Sequence, residues 1–139
     1  MADTPDQPAE RSILSIYLDD EKPDNIMLFL VHEVVSEKYG YMQAGAVQAS
    51  AHGGWRHDPG TWLKRRQEYD DVGEHSLLSE TEALPYLEGL GLQLEDGKNM
   101  LIARLTALNG RAPDIQPEDP NLKARRDTAR ARLGLPARP

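Results

Sequence analysis

The chain has no cysteine. That single absence removes disulfides, thiolate zinc sites, iron–sulfur clusters and a cysteine nucleophile. It also suits a reducing compartment. Long apolar runs are missing as well. The longest, Ile26 to Val31, breaks at His32 and Glu33, whereas a membrane span needs about 20 apolar residues. Residues 1–12 are polar, carry Asp3, Asp6 and Glu10, and lack the basic start and apolar stretch of a secretory signal. The expectation is a cytoplasmic protein with no membrane partner. Local signatures of nucleophilic or phosphoryl chemistry are also absent: there is no G-x-S-x-G, no S-x-x-K and no Walker loop.

What is present amounts to 139 residues, room for one domain with a core of its own. Charge is uneven. Residues 123–139 hold six bases (Lys123, Arg125, Arg126, Arg130, Arg132, Arg138) and one acid (Asp127), a net +5, which leaves −12 on residues 1–122 of a chain whose total is −7. An acidic body repels nucleic acid and anionic lipid. A basic tail can attract them or fold back on that body.

Residues 1–11, rich in Pro, Asp, Gln and Ala, read as a disordered acidic arm. Leu14, Ile16 and Leu18 alternate, with Ser15 as the exception among the residues between them, and predict a strand with one well-buried face. Pro23 and Asp24 suit a first helical turn, and the pairs Ile26/Met27, Leu30/Val31 and Val34/Val35 recur every four residues. This pattern predicts a helix from Pro23 to Tyr39, stopped by Gly40. Tyr41 to Ser50 reads as a second strand and Ala51 to Gly60 as a Gly/Pro loop. Thr61 to Val72 fits strand or helix equally. Ser79 with Glu82 forms a capping box that opens a helix. Leu101, Leu105 and Leu108 before Asn109-Gly110 favour a helix over Met100–Leu108. Residues 111–120 read as a linker, and residues 121–139 as a basic helical tail whose thin apolar stripe (Leu122, Ala129, Leu133) needs something to dock on.

The fold expected from these elements is an α+β domain over residues 12–110: a small sheet packed by two helices in two layers, plus the C-terminal basic helix. A ferredoxin-like order arises if a third strand lies in Thr61–Val72 and a fourth in Leu92–Leu105. The expected core is Leu14, Ile16, Leu18, Ile26, Leu30, Val34, Leu84, Leu87 and Leu105.

Three constellations compete for function. His52 and His57 flank Gly53-Gly54-Trp55-Arg56, and two imidazoles in one loop could converge on a metal with Asp58, Glu74 or His75 as third ligand. Trp55, Arg56, Trp62, Lys64, Arg65, Arg66 and Tyr69 set aromatics among cations, which suits single-stranded bases, and Arg125, Arg126 and Arg130 of the tail could add phosphate contacts. The same aromatics and arginines are also favoured anchors of protein interfaces. Finally, Asp19-Asp20-Glu21 follows the first strand, and residues 13–30 resemble the opening of a response-regulator receiver domain, where an acidic pair helps bind magnesium. The resemblance ends there: Asp70-Asp71 follow Arg66-Gln67-Glu68-Tyr69 rather than an apolar strand, so no receiver function is carried over. The reading that asks least of the sequence is a non-enzymatic regulatory or interaction protein that needs no cofactor and binds another protein through its surface and basic tail. Nucleic-acid binding is the alternative, followed by a small metal-dependent enzyme at His52 and His57.

Overall fold

The computed structural model describes residues 10–68, 72–112, 114–116 and 118–138, except for the side chains of Gln67 and Glu68. The N-terminal arm before Glu10, Tyr69 and the Asp70-Asp71 pair lie outside the described residues. Strands β1 (Arg11–Asp19), β2 (Met27–Ser36), β3 (Gly40–Ser50), β4 (Gly54–Arg56) and β5 (Leu77–Leu78) form one antiparallel sheet in the order β4-β3-β2-β1-β5. The helices are α1 (Pro59–Leu63), α2 (Glu80–Leu90), α3 (Leu94–Asn109) and α4 (Leu122–Arg132), with a π-type turn over Lys64–Glu68 directly after α1. The α+β class stands, with a sheet and two long helices on one of its faces. The ferredoxin-like order does not occur among the described residues, because 61–68 and 94–105, which would have supplied its third and fourth strands, are helical and β1 to β4 follow one another as a meander.

Met27–Ser36 is a strand, not a helix. Its residues pair one by one with β1 (Leu28 opposite Leu18, Leu30 opposite Ile16) and with β3 on the other side. A strand buried on both faces reads as a continuous apolar run, and spacing alone cannot tell that run from a buried helix. Pro23 lies in the turn between β1 and β2, where the Asn25 amide donates to the Lys22 carbonyl at 2.9 Å.

Both faces of the sheet are covered. Leu14, Ile16, Leu18, Leu28, Leu30 and Val47 meet Ala83, Leu87, Leu101 and Leu105 of α2 and α3. The opposite face places Tyr17, Phe29, Val31 and Leu77 against Trp62 of α1 and Leu122 of α4. Six of the nine expected core residues are buried. Ile26 packs at the margin, Val34 is half-buried, and Leu84 points outward at 51% exposure. The capping box forms as read: the Glu82 amide donates to Ser79 Oγ and the Ser79 amide donates to Glu82 Oε1. Asp96 and Gly97 lie in the first turn of α3. Gly97 is there because a Cβ would sit 2.5 Å from the Trp55 ring, and that ring is fixed by a 2.9 Å hydrogen bond from its Nε1 to the Gln93 carbonyl.

The two edges of the sheet are treated differently. Along β1, β5 pairs at Ile16–Tyr17, and Gln116 bridges in parallel at Ile13, exchanging backbone bonds with Ser12 and Leu14. Along β3, β4 pairs only with Gln48–Ser50. Among the described residues no helix is long and apolar enough to cross a membrane.

Candidate functional site

The outer edge of β3 is where the chain leaves backbone unpaired. Gly40 to Val47 contains no charge and no proline, and no strand lies on its outer side among the described residues. The ladder to β2 shifts between His32 and Glu33, whose partners are Gly45 and Gln43, so Ala44 is an extra, bulged residue. Met42, Gln43 and Ala44 are exposed. This edge forms the floor of a hollow of about 560 Å³. Leu105 and Leu108 of α3 wall one side, and Trp62 and Leu63 of α1 the other. Three large apolar side chains open onto it: Met42 at 51%, Leu63 at 48% and Leu108 at 74% exposure. Gly45 keeps the floor low, with the tips of Leu105 and Leu101 at 3.4 and 3.7 Å from where its Cβ would be. Among the described residues Arg104 and His57 are the only ionisable groups lining the hollow, and Arg104 is exposed with no ion-pair partner among them.

A second polar constellation lies inside the protein. Glu33, on β2 and 1% exposed, accepts hydrogen bonds from Ser15 and from Tyr17, the latter at 2.8 Å. Ser15, the exception to the β1 alternation, is therefore there for the carboxylate. Arg125 of α4 closes the group: it lies 3.4 Å from Glu33, 3.1 Å from Asp119 and 2.9 Å from Glu74, with its guanidinium 3.6 Å from the centre of the Tyr41 ring. Burial alone would make Arg125 easier to deprotonate, but Glu33 and Glu74 outweigh that and hold it well above the ordinary arginine range. Burial, reinforced by the Glu33 charge, likewise pushes the Tyr17 phenol far up. The Tyr41 phenol is raised by burial and by the bond it donates to Asp119. Buried polar groups of this kind need every partner in place. The cluster ties α4 to the sheet, with Glu33 and Asp119 buried and Glu74 at its outer rim.

The residues singled out by sequence are scattered by the fold. Trp62 is 5% exposed and packs tilted against Tyr17 and Phe29, with ring centres 5.2 and 5.1 Å away. It is a core residue, not a platform for bases. Trp55 is half-buried over Gly97. Arg65 pairs with Asp19 at 3.3 Å, and Arg66 donates to the Val72 carbonyl. Arg126 is 2% exposed, bonded to the Leu77 carbonyl and to Glu82. Arg130 donates to the His75 and Pro136 carbonyls. Among the described aromatic and basic residues of the set, only Arg56 and Lys64 are exposed. The tail helix thus docks on its own sheet. His52 and His57 are both exposed at opposite ends of β4, and Asp58 caps α1 through Thr61. Among the described residues no three metal-ligating groups come together. The acidic turn after β1 has Asp19 engaged by Arg65 and Asp20 and Glu21 exposed, and it leads into a strand rather than the helix of a receiver.

Sequence reasoning missed the β3 edge. The available signal was eight successive residues without charge in a chain that is 28% charged, a run that monomeric sheet edges ordinarily interrupt. No family model, curated protein or solved structure matches this chain.

Proposed function

We propose that this chain is a non-enzymatic interaction domain that binds another protein at the outer edge of β3. One observation carries the reading: among the described residues β5 and Gln116 cover the β1 edge, while Gly40–Val47 has no strand partner for its outer N–H and C=O groups, beside three exposed apolar side chains. An unguarded edge is a template for one more strand, and strand addition is a recurrent way for a domain to hold an extended peptide. Exposed apolar side chains gathered in one place support the same conclusion. The basic tail, expected as a contact surface, uses Arg125, Arg126 and Arg130 internally, so the contact moves from the tail to the sheet. A cytoplasmic setting fits a chain without cysteine.

Ala44→Lys tests this. Ala44 is exposed, so the substitution leaves the core intact and places a charge on the edge. A partner recovered from cell extract by the wild-type chain and lost by Ala44→Lys, with hydrogen-exchange protection over residues 40–47 in the complex, is the expected outcome. A partner retained equally by both chains places the contact elsewhere.

A further inference from the structure

We propose that the occupant of the β3 slot is a single extended segment of a partner protein, with apolar side chains on one face and a carboxylate on the other, set against Arg104. The inference rests on the β3-edge reading and specifies its ligand. The hollow is bounded on one face of the sheet by α3 and on the other by α1, with Met42–Ala46 between them. Five residues of strand extend about 16 Å, so the site takes one strand of about that length. A second copy of this chain is a poor occupant. Its own edge lies recessed between the same two helices, and walls would meet before edges. Two copies would also bring together two bodies of net charge −7 and two Arg104 side chains.

The chemistry of the walls specifies the segment. Side chains of an added strand point alternately to the two faces. Those facing α1 meet Leu63 and the edge of Trp62, which favours apolar residues. Those facing α3 meet Leu105 and Leu108 and then Arg104. Acids outnumber bases by 23 to 16 in the chain, yet among the described residues no Asp or Glu lines the slot. An arginine with no ion-pair partner and no acid beside it among the described residues is matched by a carboxylate, with which it can form charge-assisted hydrogen bonds.

Selection of a random heptapeptide display library on the full chain, counter-selected on Ala44→Lys, tests the proposal. Enriched peptides should carry Asp or Glu at one position and apolar residues at positions of the opposite parity. Their affinity should fall about tenfold or more on Arg104→Glu, and selection on that variant should turn to Lys or Arg. Edge-dependent peptides with no acidic preference would overturn the carboxylate while leaving the edge reading in place. A dimer in sedimentation that Ala44→Lys dissolves would give the slot to a second copy, and much tighter peptide binding after deletion of residues 1–9 would give it to the chain's own arm. Absence of any Ala44-dependent enrichment would sink both readings together.

Discussion

Arg125 on α4 reaches to 3.4 Å from Glu33, ninety-two residues earlier on β2, and this contact fastens the last helix to the sheet. Glu33 cannot be solvated where it sits. Removing one member of a buried pair strands the other, at a cost of about 3–5 kcal/mol. Arg125→Ala should lower the unfolding free energy by about that much in urea titration. Glu33→Gln should cost less, since an amide oxygen can still accept from Tyr17. The partly exposed pair Lys98–Glu80 provides the contrast: Lys98→Ala should cost under about 1 kcal/mol. Equal losses at the two sites would mean that the buried group is not what holds α4 in place.

Gly97 and Trp55 are fitted to each other. A methyl at position 97 would meet the indole at 2.5 Å, and backbone on one side with a hydrogen-bonded ring on the other leaves little room to give. Gly97→Ala should destabilise the protein by about 1–3 kcal/mol despite the better helix propensity of alanine. The indole fluorescence should shift as Trp55 is displaced, and Trp55→Leu in the same chain should recover part of the loss. A stabilised Gly97→Ala would show that the ring is free to move.

His32 sits on β2 with Nε2 3.0 Å from Ser12 Oγ and with Nδ1 buried and unpartnered among the described residues. Burial lowers its affinity for a proton below the ordinary value of 6.5. Because the unfolded chain binds that proton more readily, stability is fully present above about pH 6.5 and declines as the pH falls below it. The urea midpoint should therefore drop between pH 7.5 and 5.5, and His32→Gln, which keeps a polar side chain but does not titrate, should flatten that drop. An unchanged slope in the variant would assign the pH dependence to another group.

The Ser79–Glu82 box opens α2 and also engages Arg126 of α4 through Glu82. Ser79→Ala should cost about 1 kcal/mol in thermal or urea unfolding. Glu82→Ala should cost more, because it also leaves the buried Arg126 guanidinium without its carboxylate. A smaller loss for Glu82→Ala than for Ser79→Ala would contradict that linkage.

Legibility in the sequence followed the range of the interactions. Ser79 with Glu82, Asn109 with Gly110, and the alternation of Leu14, Ile16 and Leu18 are local patterns, and each formed the element it indicates. Met27–Ser36 misled because a strand covered on both sides shows no polar face, and its second cover, Leu122 with Trp62, comes from segments read as tail and ambiguous loop. The role of Glu33 depends on an arginine far along the chain. The β3 edge depends on which strands pair and where β4 stops, and nothing within residues 40–47 announces either. Tryptophan beside arginine looked like a binding surface because composition does not say which way a ring points. Trp62 points inward, and its neighbours Arg65 and Arg66 are tied to Asp19 and to the Val72 carbonyl.

The closure of Glu33 by Arg125 also imposes an order on biosynthesis. A ribosome releases both walls of the hairpin that carries the buried carboxylate well before it releases the guanidinium that neutralises it. Until then the nascent sheet has one covered face and one that is apolar, charged and wet. The second layer closes only after Asp119 to Arg126 have been made, so a truncation before Asp119 that spares every strand would still yield a chain unable to complete its interior.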